Sequence, residues 1–378
     1  MKRDTRLIHS GRPDGATGYV NAPVGRASTV LAPSTDELYG PTPPRRHYGR
    51  GGVSPNAELR AALCDLYRAD HCALAPSGLA SVVLAVRAAL TGPGEALITD
   101  SVYGPVRRFC DEELPRLGVT PRYYDPRIGA GIAEMMGDAT CMVLLESPGS
   151  LTFEVQDIAA IAAAARKVGA VSVIDDTWSA GLLMNPLDHG VDLAAQALTK
   201  YVGGHSDFLA GAVAARGDLA DHLKSRESLY GLHVSPDDAF LALRGLRTLA
   251  LRMERSGQSG LYLARRLQGH DKIARVLHPG LEDNADNPLY QKYFTGPAGC
   301  FSIVLDGLDR RQGETIAEAL KLFGMGFSWG GFESLVLPCD RQIRRTAVPW
   351  NAEGALLRFA VGLEDPEDLW ADLEQALG

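Results

Sequence analysis

Two spacings of apolar residues alternate through the middle of the chain. The stretch 77–90 (SGLASVVLAVRAAL) predicts a helix, and short apolar runs at 96–99, 121–124, 141–145 and 171–174 predict strands. Between the last two runs lies an alanine-rich helix, 156–168. It has Asp157 near its start, Arg166 and Lys167 in its last turn and Gly169 just past its end, as the helix dipole and a glycine C-cap favour. Helices alternating with short, wholly apolar strands predict an α/β unit built on a mostly parallel sheet covered on both faces. Ser235-Pro236-Asp237-Asp238 then opens a long helix, 236–268, with serine as N-cap and proline in the first turn. Beyond it, strands at 300–305, 334–338 and 355–361 mix with helices at about 313–323 and 366–377, a smaller C-terminal α+β domain.

The first 56 residues break this pattern. Pro13, Pro23, Pro33, Pro41, Pro43, Pro44 and Pro55 sit among many glycines, with Tyr19, Val20, Val24, Val30, Leu31 and Tyr48 interleaved. Such a stretch cannot form a compact unit by itself, and it predicts an extended arm lying on another surface, that of a second subunit. The expected organisation is therefore an arm over 1–56, a first domain over 57–245 and a second over 246–378.

Composition narrows the functional classes. The 378 residues hold 38 Lys+Arg and 46 Asp+Glu, a net charge of −8, which argues against nucleic acid or an anionic membrane as the main partner. No apolar run reaches the roughly 18 residues of a spanning helix, and the polar start (Met1-Lys2-Arg3-Asp4) has no signal-peptide core. Six cysteines lie scattered without a C-x-x-C pair, as expected of reduced, mostly buried thiols in a cytoplasmic protein. Nine histidines show no H-E-x-x-H spacing, so no metal site is expected. Nucleotide-binding and α/β-hydrolase motifs are also absent. Arg45-Arg46 and Arg344-Arg345 are expected to be solvated charge pairs, with Arg345 near a pocket mouth.

Ligands of open parallel sheets bind beyond the carboxyl ends of the strands, and three features fall there. Asp175 closes a very apolar strand. Thr199-Lys200 follows 24 and 25 residues later, and Pro76-Ser77-Gly78-Leu79 begins a helix whose free N–H groups form an anion site. A lysine, a buried carboxylate and an anion-binding helix start suit pyridoxal phosphate: an amine for the Schiff base, a carboxylate for the pyridine nitrogen, N–H groups for the phosphate. Spacing alone leaves that open.

Longer motifs carry a resemblance. Ile174-Asp175-Asp176-Thr177-Trp178, Ala197-Leu198-Thr199-Lys200-Tyr201-Val202-Gly203-Gly204-His205-Ser206-Asp207 and Ser328-Trp329-Gly330-Gly331-Phe332-Glu333-Ser334-Leu335 closely resemble the Cys/Met-metabolism pyridoxal-phosphate enzymes of fold type I, bacterial cystathionine β-lyases among them. Ser101-Val102-Tyr103-Gly104-Pro105, Glu146-Ser147-Pro148-Gly149-Ser150 and Arg244-Gly245-Leu246-Arg247 agree in order, so the likeness covers nearly the whole chain. It implies the aspartate-aminotransferase-like large domain, pyridoxal 5′-phosphate as cofactor and a small amino-acid substrate. It further implies that Lys200 is the Schiff-base lysine and proton carrier, Asp175 the partner of the pyridine nitrogen and Tyr103 the ring-stacking and catalytic tyrosine. Ser77, Gly78, Leu79 and Thr199 would hold the phosphate, with Tyr48 and Arg50 reaching it from the neighbouring subunit and Tyr48 also near the substrate. Arg358 would clamp the substrate α-carboxylate, with Ser328 and Trp329 beside it. The implied oligomer is a dimer at least, and a tetramer in its expected form.

Two features favour β- over γ-elimination. Ser147-Pro148-Gly149-Ser150-Leu151 has the β-lyase form where γ-active relatives have asparagine, and Trp329 stands where they usually carry leucine. The expected reaction is cleavage of cystathionine or a related cysteine S-conjugate to a thiol, pyruvate and ammonia. The alternatives are a γ-eliminating or γ-replacing relative, a lyase of specialised metabolism, or a binding protein on the same fold without catalysis. Departures from the family pattern are Gly51-Gly52-Val53 after Arg50, Ala197 for a hydroxyl residue, Phe327 for tyrosine, and Tyr293 within Lys292-Tyr293-Phe294-Thr295-Gly296.

Overall fold

The structure is a computed structural model that describes residues 1–13, 18–39, 48–352 and 354–378. Pro41, Pro43, Pro44 and Arg45-Arg46 lie outside these. Seven strands form the larger sheet: β1 (His71–Ala75), β2 (Gly94–Thr99), β3 (Val119–Tyr124), β4 (Thr140–Glu146), β5 (Val171–Asp175), β6 (Leu193–Ala197) and β7 (Gly211–Ala215). Their order across the sheet is β1-β7-β6-β5-β4-β2-β3, and β7 alone runs against its neighbours. The expected mostly parallel α/β sheet is present. The short apolar runs become strands because both faces are covered: β4 and β5 keep Val143, Leu144, Leu145, Val173 and Ile174 fully buried.

The described residues form twelve helices in chain order: α1 (Arg3–His9), α2 (Thr35–Tyr39), α3 (Asn56–Tyr67), α4 (Gly78–Ala89), α5 (Gly104–Glu113), α6 (Ile158–Lys167), α7 (Asp218–Leu229), α8 (Pro236–Leu246), α9 (Leu249–Leu267), α10 (Asn287–Tyr293), α11 (Arg310–Ala319) and α12 (Pro366–Leu377). Residues of α3, α6 and α8 share one core with one face of the sheet. Those of α4, α5 and α7 share a second core on the other face. A third core joins α9, α11 and α12 to the smaller sheet, made of β8 (Ile273–Leu277), β9 (Cys300–Leu305), β10 (Gly324–Met325), β11 (Leu335–Pro338) and β12 (Leu356–Ala360). This sheet has the order β10-β11-β12-β9-β8.

Two expectations shift. The single helix 236–268 is two helices, α8 and α9, separated at Arg247-Thr248, where Arg247 and Thr248 donate back to Arg244 and Gly245 carbonyls. The helix expected at 313–323 begins earlier, because Asp309 and Gln312 form a reciprocal capping box. Within the arm, Gly25 and Gly49 donate backbone hydrogen bonds to Ser54 and Ser28.

Candidate active site

The carboxyl ends of the parallel strands open into one cavity of about 900 Å³. Ser77, Gly78, Leu79, Tyr103, Asp175, Thr199, Lys200, Ser328, Trp329 and Arg358 all line it, drawn from both sheets. Tyr48 and Arg50 do not. Tyr48 is exposed, and Arg50 Nη1 donates to the Ser228 carbonyl of its own chain at 3.1 Å.

Lys200 follows β6 and is largely enclosed. Burial, aided by the Arg358 guanidinium, brings its ammonium down to about 8 from an ordinary lysine value. Its Nζ donates to Ser328 Oγ at 2.7 Å and lies 5.4 Å from the Trp329 ring centroid. Asp175, at the end of β5, is pushed up by burial, opposed by hydrogen bonds from Thr177 and by the Lys200 charge. Thr177 donates to Asp175 Oδ1 through its N–H at 3.0 Å and its hydroxyl at 2.5 Å, and that hydroxyl accepts from Ala197 N at 2.9 Å. The carboxylate is therefore held in one orientation by the strand beside it.

The start of α4 forms the anion end of the cavity. Ser77 Oγ accepts from Ala80 N and so keeps its own proton free, while the N–H groups of Gly78 and Leu79 meet no acceptor among the described residues. Glycine is required at 78, because a Cβ there would lie 2.3 Å from the Ala197 Cβ. Ala197, at the end of β6, is the residue Gly78 packs against. The Thr199 hydroxyl is occupied differently: it donates to Ala210 O and accepts from Ala210 N.

Arg358 sits on β12, where an arginine in an apolar strand is costly unless it meets an anion. Its Nη2 donates to the Ser328 carbonyl at 2.7 Å, but its Nε is buried with no partner among the described residues. Ser328 itself adopts a left-handed backbone with φ +87°, unusual for a non-glycine residue and seen where a site imposes it. Trp329 packs edge-on against Tyr201, ring centroids 5.4 Å apart.

Three carboxylates near the cavity escaped the sequence reading. Glu146 ends β4 opposite Asp175, and Asp176 is buried, taking hydrogen bonds from Tyr67 Oη, Ser179 Oγ and Gly181 N. Burial outweighs those donors and brings Asp176 up to about 8. Glu146 follows an apolar run just as Asp175 does, a signal that was available. The third, Glu154, corrects the expectation for Arg345. That side chain is not solvated but 5% exposed, and it pairs with Glu154 at 3.1 Å. Arg344 does line the cavity. Among the described residues no group of three His, Cys, Asp or Glu could hold a metal ion, and no helix is long and apolar enough to cross a membrane.

A family model described as Cys/Met metabolism PLP-dependent enzyme matches residues 4–378. The chain belongs to that family. It is 43% identical to a putative cystathionine beta-lyase of Rhizobium johnstonii, covering 98% of this chain and 95% of the relative. It is 38% identical to the cystathionine beta-lyase MetC of Escherichia coli, covering 99% and 97%. The solved cystathionine gamma-lyase from Lactobacillus plantarum, complexed with L-serine, superposes with a TM-score of 0.91 at 28% identity, covering 100% and 98%. The family's cofactor fits the residues present. The cavity offers an amine of lowered pKa, a carboxylate fixed by two donors, unspent N–H groups at a helix start and an arginine with an orphaned Nε.

Proposed function

We propose that this family member is a carbon–sulfur β-lyase that cleaves cystathionine, or a related cysteine S-conjugate, to homocysteine or another thiol, pyruvate and ammonia. The observation that carries the proposal is the near full-length identity of 38–43% to proteins named cystathionine beta-lyase, joined to a cavity in which Trp329 and Ser328 flank the Lys200 amine. Pyridoxal phosphate, when bound, supplies the electron sink that makes a carbanion at the substrate Cα accessible. Asp175 would keep the ring nitrogen protonated, and Tyr103 would stack on the ring. Ser77, Gly78 and Leu79 would hold the phosphate, with Thr199 beside them, and Tyr48 and Arg50 of a second copy would complete that end.

Substrate enters with its α-carboxylate on Arg358, whose free Nε and fixed Nη2 preset the guanidinium for a two-point clamp. Lys200 Nζ removes the proton from Cα. An amine titrating near 8 is partly neutral at physiological pH, as a base requires, and the proton it takes from Cα can pass to the thiolate leaving Cβ, giving the thiol. β-Elimination needs only this one deprotonation. A γ-lyase must also remove a proton from Cβ.

The division into an arm (1–56), a cofactor domain (57–245) and a substrate domain (246–378) belongs to this proposal. So do a homo-oligomer of at least two and preferably four copies, and a cytoplasmic location. The experiment is a comparison of kcat/KM for cystathionine, cystine, methionine and several cysteine S-conjugates on the cofactor-loaded enzyme. Thioether substrates with a Cβ–S bond should be cleaved and methionine left intact; efficient release of methanethiol from methionine would refute the proposal.

A further inference from the structure

Glu146 lines the cofactor cavity and has no part in the chemistry above. It stands at the end of β4 in direct register with Asp175 at the end of β5. Its Oε2 accepts the backbone N–H of Tyr103 at 2.6 Å. The Tyr103 carbonyl accepts Arg107 N at 2.9 Å in the first turn of α5, and the Glu146 contact is the one that holds its N–H. Tyr103 caps α5 without any side-chain cap bond, Pro105 offers no N–H, and Tyr103 is 46% exposed with no hydrogen bond on its hydroxyl among the described residues.

We propose that Glu146 is a positioning residue that fixes Tyr103 over the cofactor by accepting its amide N–H. The inference rests on the reading of Tyr103 as the ring-stacking residue. Two carboxylates at adjacent strand ends disfavour each other's charged form. Burial raises Asp175 too, but it has two donors from Thr177 and faces the Lys200 ammonium, which favour its charged form. Glu146 has one N–H donor. Burial, then the Asp175 charge, push it well above the usual carboxylate range, opposed by the Tyr103 N–H and by Arg345, with Glu154 adding to the rise. A neutral carboxyl still accepts the Tyr103 N–H through its carbonyl oxygen. It does so without placing a second negative charge beside the group that must hold the pyridine nitrogen protonated.

Glutamine reproduces this neutral acceptor and alanine does not, so a pair of variants isolates the role. In cofactor-loaded enzyme the readouts are the visible circular-dichroism band of the bound cofactor and the rate of cofactor release, with far-ultraviolet dichroism as a folding check. Glu146→Gln should keep the band and release rate of the parent. Glu146→Ala should weaken the band and speed release by about 5-fold, the scale of one lost hydrogen bond. Tyr103→Ala should do the same, and the double variant should be no worse than Tyr103→Ala alone. Glu146→Gln as damaged as Glu146→Ala, or additive effects in the double variant, would overturn the proposal for Glu146. So would a Glu146→Ala enzyme unchanged in both readouts while Tyr103→Ala is altered. If Tyr103→Ala itself left band and release unchanged, the stacking role of Tyr103 would fall, and the proposal with it.

Discussion

Lys200 Nζ donates to Ser328 Oγ at 2.7 Å, so the amine that follows the large sheet is oriented by a loop of the small one. Ser328 thus makes two contacts that matter, since its carbonyl also holds Arg358. Its left-handed φ is the backbone geometry that allows both. Ser328→Ala keeps the carbonyl contact and removes the hydroxyl. We expect kcat/KM to fall about 10-fold, the scale of one lost hydrogen bond to a charged group. Steady-state kinetics at saturating cofactor check this, and an unchanged kcat/KM would show that the hydroxyl does not orient the amine.

The lowered ammonium of Lys200 makes a pH prediction. Capture of pyridoxal phosphate by cofactor-free enzyme requires a neutral amine, which is protonated below its pKa and free above it. The capture rate should therefore rise with pH around a midpoint near 8, well below the 10.5 of an ordinary lysine. The Arg358 charge contributes to the lowering, so Arg358→Leu should move the midpoint upward. Stopped-flow absorbance gives the profile; a midpoint near the ordinary lysine value would contradict it.

Asp100 and Arg107 form a wholly buried pair at 2.9 Å, side chains 0% and 5% exposed. The same carboxylate accepts the backbone N–H groups of Thr346, Ala347 and Val348, which anchors the segment before β12 to the large unit. Asp100→Ala strands both the arginine and those amides. It should cost about 3–5 kcal/mol in urea unfolding, with Asp100→Ala/Arg107→Met costing less than the single variant. A loss under about 1 kcal/mol would mean the segment is held elsewhere.

Sites shared between copies can be tested by mixing. If Tyr48 and Arg50 serve the neighbouring site, Lys200→Ala and Arg50→Ala subunits should each be impaired alone. Reassembled together in equal amounts they should recover about one quarter of parental activity, because half the dimers are mixed and each has one intact site. No recovery in chromatographically verified mixed dimers would place Arg50 at its own chain's site, and an unimpaired Arg50→Ala enzyme would place it at none.

Much of the fold was legible because burial on both sheet faces writes itself as continuous apolar runs: β2, β4 and β5 lie where Ala96, Val143 and Val173 suggested. β1 and β7 were missed, since alanine-rich His71–Ala75 and Gly211–Ala215 read equally well as helix. The break between α8 and α9 was invisible because Arg247 and Thr248 are tolerable helix residues, and only contacts distant in sequence stop the helix there. Ten of the proposed site residues were named from motifs, and they surround one cavity. Glu154 with Arg345 was not legible, because a charged pair separated by 191 positions has no local signature and an Arg-Arg doublet ordinarily means solvent. Tyr48 and Arg50 stand apart for a different reason: the role implied for them needs a second chain.

The identity of the keto acid formed from cystathionine tests the central claim most directly. With cofactor-loaded enzyme and cystathionine as the sole substrate, mass analysis should find pyruvate and homocysteine in equal amounts, with ammonia, and Lys200→Ala should form neither. 2-Oxobutyrate with cysteine as the main products would contradict the account, placing this chain among the γ-lyases instead.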